Sequence, residues 1–260
     1  MSFPPTRIVC LTEETVETLY LLGQDHRIVG VTGYAVRPRQ VRREKPRVGA
    51  FTSADIPKIL ALEPDLVLTF SDLQADIVAE LIRAGVAVHG FNQRNIAGIY
   101  DMIDTLGALT GVPERAAALV AGYRTRLANL RPPATKPRVY FEEWDDPMIT
   151  SIGWVSELIE AVGGTDVFAP LRHQHAARDR IVTSEQVIKA APDVIIGSWC
   201  GKKLRPEKIA ARPGWGAMPA VRAGAIHEIK SPLILQPGPA ALTDGLNALI
   251  AAIHPAPETS

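Results

Sequence analysis

The chain has 260 residues, of which 47% are hydrophobic and 22% are charged, and this composition predicts a packed core and excludes an intrinsically disordered protein. Lysine plus arginine and aspartate plus glutamate both total 28, so the balanced charge gives no long-range attraction to nucleic acid or to an anionic membrane. No apolar stretch approaches the roughly 18 residues that a membrane-spanning helix needs. We therefore expect no nucleic-acid partner and no membrane insertion.

The N-terminal segment and the cysteines bear on the cellular compartment of the protein. Met1 to Thr6 leads directly into the first predicted strand, without the basic, apolar and cleavage regions of a secretory leader. The two cysteines, Cys10 and Cys200, are too few for a disulfide framework and fit a reducing compartment. We expect a cytoplasmic protein, with a periplasmic location as the alternative if a leader has been removed.

Short runs rich in Val and Ile alternate with helical patterns along the chain. The apolar runs predict seven strands, at 7–11, 27–32, 66–70, 87–91, 137–143, 194–199 and 225–230. The helical patterns predict eight helices, at 14–22, 56–62, 73–84, 96–110, 114–130, 155–162, 185–191 and 240–253. Continuously apolar strands are typical of parallel sheets buried on both faces, and the alternation predicts βαβ units.

The sequence also contains an internal repeat. Segments 59–68 and 187–196 both read as a helix end, a Pro-Asp pair and a buried strand, and proline ends a helix because it lacks a backbone N–H. Upstream of each copy, at 17–23 and 157–163, an acidic residue, an apolar helix and a glycine occur in the same order. Two such parallels predict duplicated lobes.

A helix and a stiff linker separate the predicted lobes. An apolar stripe runs along the helix within 113–131, and three prolines follow it before residue 138. We divide the chain into an N-terminal α/β lobe at 1–111, a linking helix and linker at 112–135, and a C-terminal α/β lobe at 136–260. The predicted fold class is α/β, with two Rossmann-like lobes that have mainly parallel central sheets and are joined by one long α-helix.

Ligands of open parallel sheets bind beyond the carboxyl ends of the strands. The most informative such end is the segment 197–203, where a buried strand leads into Trp199, Cys200, Lys202 and Lys203. Tryptophan offers a flat apolar face, and lysine offers charge to a carboxylate or phosphate. The alternative is that Trp199 covers the core and the lysines are solvated.

Other candidates lie in the second lobe. On a strand, Glu142 and Trp144 face one way and Glu143 the other, which argues against a hydrolase with paired carboxylates and favours a ligand contact for Glu143 and Trp144. Arg178 and Arg180 could hold an anionic ligand. Gln236 lies in a proline-rich loop that either lines the cleft or only connects elements.

A metal site is not predicted. His173 and His175 have the spacing of two ligands on one strand face. The arginines around them would repel a cation, so a solvated loop is the favoured interpretation.

Several stretches carry a resemblance to a known family: 7–12, 17–19, 27–32, 48–49, 59–67, and 184–187 before the second Pro-Asp pair. With them the chain resembles the periplasmic-binding-protein family that serves cobalamin and iron-siderophore ABC transporters, closest to its cobalamin-binding branch. The resemblance spans about residues 7–253. It implies a ligand held in the cleft between two lobes, and it places Tyr34 and Phe51 at aromatic positions that face cobalamin.

The chain also departs from the family pattern. Acidic residues stand near two second-lobe aromatic positions, at Glu143 and Asp179. Family members dock on an ABC permease through one acidic residue in each lobe, which Glu185 matches in the second lobe. In the first lobe Pro57 stands at that position and cannot form an ion pair, which argues against transport.

We carry three hypotheses forward. The first is a binding protein, not an enzyme, that holds a cobalamin-like or other metal-chelate ligand and has no covalently bound cofactor. In this hypothesis four aromatic residues stack on the ligand, namely Tyr34, Phe51, Trp144 and Trp199. Four basic residues contact its acidic groups, namely Lys202, Lys203, Arg178 and Arg180. The second is an enzyme with Cys200 or Glu143 as its reactive group. The third is a ligand-dependent cytoplasmic sensor.

Overall fold

The computed structural model describes residues 3–132 and 134–255. The chain divides into two compact units. The first unit runs to Gln93 and includes Ala97–Arg124, and the second comprises Arg94–Ile96 and the chain from Thr125 onward. The boundary at Arg124 lies inside the helix that the sequence places between the lobes.

The first part of the chain alternates strands and helices. In order these are β1 (Ile8–Cys10), α1 (Glu13–Leu21), β2 (Ile28–Val31), α2 (Val41–Glu44), α3 (Ile56–Ala61), β3 (Leu66–Phe70), α4 (Ala75–Arg83), β4 (Val88–Phe91), α5 (Ile96–Thr110) and α6 (Pro113–Ala128). The strands pair in the order β2-β1-β3-β4, and every pairing is parallel. All residues of β1 and β3 are buried, as expected for strands covered on both faces.

The second unit has a mixed sheet. Its elements are β5 (Arg138–Asp145), β6 (Met148–Thr150), α7 (Gly153–Ala161), β7 (Thr165–Asp166), α8 (Ser184–Ala190), β8 (Val194–Gly197), α9 (Pro206–Ala210), α10 (Pro219–Arg222), β9 (Ile226–Glu228), α11 (Ser231–Ile234) and α12 (Leu246–Ile253). The strand order is β6-β5-β8-β9, and β7 pairs with the start of β5. Only the β5–β6 pairing is antiparallel among the described strands.

Each of the seven predicted strands and eight predicted helices has a counterpart, and β3 and α5 match to the residue. The strand predicted to end at Glu143 instead continues to Asp145 and turns back into β6. The sequence does not predict β6, because its three residues, Met148, Ile149 and Thr150, are not part of a run rich in Val and Ile. The α/β fold class with mainly parallel sheets is confirmed.

Among residues 3–132 and 134–255, no helix is both long enough and apolar enough to cross a bilayer.

A junction between a helix end and a strand start fixes the sheet of the first unit. The Asp65 carboxylate accepts hydrogen bonds from the backbone N–H groups of Thr6, at 2.7 Å, and Arg7, at 3.0 Å. The Arg7 guanidinium donates to the carbonyl oxygens of Leu62, at 2.6 Å, and Glu63, at 3.1 Å. The end of α3, which has no intrahelical partners for these carbonyls, is thereby capped from the strand beside it.

The second unit repeats the junction. Asp193 accepts from the backbone N–H of Arg138 at 2.8 Å, and the Arg138 guanidinium donates to the Ala190 carbonyl at the end of α8, at 2.7 Å. In both junctions the residue before proline is a non-glycine in the left-handed region, Glu63 with φ 47° and Ala191 with φ 43°. The predicted internal repeat is thus confirmed at the level of hydrogen bonds.

We expect Arg138→Met to destabilise the protein by about 1 kcal/mol, the usual net value of the helix-capping hydrogen bonds that it removes. Urea unfolding followed by circular dichroism measures the change. Arg178→Met is the matched control, because the Arg178 side chain is 84% exposed and its closest ion-pair contact is 3.8 Å long. Equal stability of the two variants would contradict the role of Arg138.

Candidate functional site

The two predicted aromatic residues of the first unit lie in the segment between β2 and α3. Tyr34 lies three residues after the end of β2, and its side chain is 46% exposed. Phe51 is half-buried. This segment leaves the carboxyl end of β2, the edge at which open parallel sheets bind ligands. The Tyr34 ring is therefore exposed beyond the carboxyl end of β2, and its contact with a ligand stays a prediction.

A buried glutamine, which sequence reasoning missed, holds the backbone of Phe51. Gln74 is 0% exposed, and its Nε2 donates to the carbonyl oxygens of Phe51, at 2.8 Å, and Leu11, at 3.2 Å. Its Oε1 accepts from the backbone N–H of Phe70 at 2.9 Å. One amide group thus ties the Phe51 loop to the ends of β1 and β3. A glutamine in a polar loop after a strand carries no sequence signal of this burial.

Two glutamates open α1 at the carboxyl end of β1. Burial raises the pKa of Glu14 to about 7. Burial, and then the neighbouring charge of Glu14, raise the pKa of Glu13 to about 8. Glu14 is 1% exposed, and its Oε1 has no hydrogen-bond partner in the described part of the chain. These acids therefore bind protons near neutral pH, a property that the sequence does not indicate.

In the second unit, the two candidate arginines have different environments. Arg180 is 1% exposed, and its Nη1 donates to Glu143 Oε2 and to the Thr150 carbonyl, both at 2.6 Å. Arg178 is 84% exposed and lies 3.8 Å from Asp179. The structure does not bring the two arginines together as one anion clamp, and it compensates the charge of Arg180 with Glu143.

The candidates at the ends of β5 and β8 do come together. The Lys202 ammonium lies 2.5 Å from Asp145 Oδ2. It also lies 5.4 Å from the ring centroid of Trp144 and 5.1 Å from that of Trp199, within the range of cation–π attraction. Trp199 is only 6% exposed and packs in the core of the unit, whereas Lys202 is half-exposed. Cys200 and Lys203 beside them are exposed.

A buried ion pair that the sequence analysis missed fixes this end of β5. Glu142 is 0% exposed and accepts two hydrogen bonds from Arg212, at 2.6 and 2.9 Å. The Tyr140 hydroxyl donates to Glu142 at 3.0 Å, and the Arg212 guanidinium stacks over Trp215 at 4.6 Å. Burial, and then the charge of Glu142, raise the pKa of Tyr140. Glu142 is therefore a structural acid, and 70 residues separate it from its partner, too far for any local pattern to reveal.

The remaining candidates are spread over the second unit. Gln236 is half-buried in the turn after α11, and His173 and His175 are exposed. Within the described residues, no three His, Cys, Asp or Glu side chains are grouped so as to hold a metal ion. Glu185 is exposed in the first turn of α8, where its own backbone N–H and the Thr183 side chain lower its pKa.

Comparison with known proteins identifies the group to which this architecture belongs. The family described as periplasmic binding protein matches residues 8–233. The Bacillus subtilis (strain 168) protein YvrC, described as an uncharacterized ABC transporter substrate-binding lipoprotein, is 25% identical over 268 residues, which cover 96% of this chain and 81% of YvrC.

Two solved structures share the fold over nearly their whole length. The periplasmic vitamin B12 binding protein BtuF of Vibrio cholerae has a TM-score of 0.72 at 25% identity, covering 97% of this chain and 98% of that chain. The periplasmic heme-binding protein RhuT from Roseiflexus sp. RS-1, in its apo form, has a TM-score of 0.80 at 25% identity, covering 95% and 98%. Both of these proteins are described as periplasmic, and the comparisons give no support to the expected cytoplasmic location.

We expect Gln74→Met to loosen the Phe51 loop, because methionine fills a similar volume without the hydrogen bonds that hold this loop. Proteolysis by chymotrypsin measures the effect directly, since a released loop exposes the peptide bond after Phe51 to cleavage. Gln24→Met, another buried glutamine in the same unit, is the control. Equal protection of Phe51 in both variants would contradict the assignment.

We expect the thermal stability of the first unit to fall as pH rises from 4.5, the ordinary pKa of Glu14, to about 7, its folded value. In this window the unfolded chain has lost the proton that the folded chain retains, so deprotonation favours unfolding. Glu14→Gln should remove part of this slope in Tm against pH. Glu114→Gln, an exposed acid in the first turn of α6, should keep it, and parallel slopes in all three proteins would contradict the role of Glu14.

Proposed function

We propose that this chain, which belongs to the periplasmic binding protein family, binds a metal-chelate ligand of the cobalamin and heme type without chemically changing it. Similarity to a vitamin B12 binding protein and to a heme-binding protein over nearly the whole chain supports this ligand class. Both ligands are large, flat ring systems, and flat apolar rings stack on aromatic side chains.

The observation that carries the proposal is the exposed ring of Tyr34 beyond the carboxyl end of β2. A tyrosine that is 46% exposed leaves apolar surface open to solvent, and the half-buried ring of Phe51 lies in the same segment between β2 and α3. A stacked ligand would cover this surface, and the buried amide of Gln74 would limit the entropy lost when Phe51 is ordered. Phe51 and Tyr34 are therefore the first-unit residues that we assign to the ligand.

In the second unit, Trp144 is the aromatic residue best placed for contact. It is half-buried near the end of β5, and its Nε1 donates to the Asp146 carbonyl at 3.0 Å, which fixes the ring. Trp199, at 6% exposed, belongs to the hydrophobic core against which Trp144 packs. Arg180 and Lys202 are paired with Glu143 and Asp145, so acidic groups of a ligand would more readily meet the exposed Lys203 and Arg178. We also propose Gln236 and Cys200 as residues that line the ligand site.

An enzymatic alternative has less support. Glu143 is held in an ion pair with Arg180 at 2.6 Å, so the carboxylate is engaged rather than available as a reactive group. The relatives named above are described as binding proteins. We therefore propose binding as the function and a location outside the cytoplasm.

An ABC permease is the partner that the family suggests. Glu185 is exposed, and its lowered pKa keeps the carboxylate ionised for pairing with a basic surface. Pro57 occupies the first turn of α3 and is exposed. Asp55, two residues earlier, caps this helix by accepting from the Lys58 N–H at 3.1 Å. We propose that Asp55 is the acidic residue available to a permease on the first unit.

We expect hemin or cyanocobalamin at about 100 times its Kd to stabilise the folded protein by about 2.7 kcal/mol, which raises Tm by about 5–11 °C for a chain of this size. Tyr34→Ala should raise the Kd about tenfold, the value of one aromatic contact. Phe3→Ala is the control, because Phe3 is exposed but precedes the amino end of β1, whereas Tyr34 follows the carboxyl end of β2. Absence of a Tm shift with hemin, cyanocobalamin and a ferric siderophore alike would overturn the proposal.

A further inference from the structure

The contacts of Lys202 point to a second kind of recognition at the carboxyl edge of the second sheet. Asp145 is the last residue of β5, and Trp144 precedes it. Trp199 follows the end of β8 by two residues, and β5 and β8 are paired neighbours in the sheet. Trp144, Trp199 and Asp145, which we call the cage, therefore stand together where the two strands end.

The cage surrounds a cation in this structure. The Lys202 ammonium lies 5.4 and 5.1 Å from the two indole centroids and 2.5 Å from an Asp145 oxygen. Indole faces attract cations through the ring quadrupole, and a carboxylate adds a charge-assisted hydrogen bond. These groups are the ones that bind an organic ammonium ion, and the ammonium of Lys202 stands in for that of a ligand.

The occupant does not satisfy the whole cage. Asp145 Oδ1 is buried and has no hydrogen-bond partner among the described residues, because Lys202 contacts Oδ2. Lys202 reaches the cage from an exposed turn in which Gly201 has φ +70°, so its side chain can leave without disturbing the core. A buried acceptor without a donor favours an ammonium that carries several N–H groups over a quaternary one.

We propose that Trp144, Trp199 and Asp145 form a binding site for a ligand that carries a primary ammonium group, and that Lys202 is a tethered competitor that such a ligand displaces. The cage shares Trp144 and Trp199 with the second-unit part of the proposed metal-chelate site, but it recognises a positive charge, through Asp145 and the indole faces, instead of a flat ring system. The competitor lowers the affinity of the site, and it keeps the indole faces covered until a ligand with a better-placed ammonium arrives.

The test uses n-butylamine, whose four carbons and ammonium match the lysine side chain. Lys202→Ala should bind n-butylamine at least about tenfold more tightly than the unaltered protein, since the competitor has been removed, as measured by calorimetry and by indole fluorescence. Lys208→Ala, which removes an exposed lysine of α9, should bind like the unaltered protein. Butan-1-ol and tetramethylammonium should bind Lys202→Ala more weakly than n-butylamine does.

Adding Asp145→Asn to Lys202→Ala should remove most of the gain, because the amide supplies no negative charge. Circular dichroism of each variant checks that it remains folded. If Lys202→Ala binds n-butylamine no more tightly than the unaltered protein, or if butan-1-ol binds it equally well, the contact only ties two strand ends together and the proposal is overturned. Binding of hemin or cyanocobalamin by the same variants reports separately on the metal-chelate proposal.

Discussion

Each sheet of this protein depends on a hydrogen-bonded junction between a helix end and a strand start. In the first unit Asp65 holds the backbone of Arg7 while the Arg7 side chain holds the end of α3. Asp193 and Arg138 do the same for α8 in the second unit. Because one arginine is bonded both through its backbone and through its guanidinium, the register of the first strand and the end of the helix are set together. The carboxyl ends of the strands, and the side chains on them, take their positions from that register.

The second sheet adds buried charge to this constraint. Consecutive glutamates on β5 form pairs with two distant arginines, Glu142 with Arg212 and Glu143 with Arg180. A buried pair is costly to break, since the remaining partner keeps its charge without compensation. The tyrosine hydroxyl on Glu142 and the Thr150 carbonyl on Arg180 complete these networks. The strand that carries Trp144 and Asp145 is therefore held by two ion pairs at consecutive residues.

The chemistry of the candidate site follows from this arrangement. In the first unit Glu13 and Glu14, which follow the carboxyl end of β1, have raised pKa values, so they are partly neutral at physiological pH. In the second unit Glu143 and Asp145 are each paired with a cation. In the proposed metal-chelate site, recognition therefore relies on ring faces and directed hydrogen bonds more than on charge.

The sequence by itself determined the α/β class, the order of the main strands and helices, the duplicated Pro-Asp junction and the family. These features are local or periodic, and apolar runs, proline and repeated motifs record them directly in the chain. Only the tertiary structure decided that Glu142 is paired with Arg212, that Gln74 is buried under Phe51, and that Lys202 lies between two indoles. The first two contacts join residues 70 and 23 positions apart, and even Lys202 reaches Asp145 across 57 positions. The burial that sets the charge state of Glu14 likewise depends on neighbours that packing brings together, so no pattern along the chain could predict it.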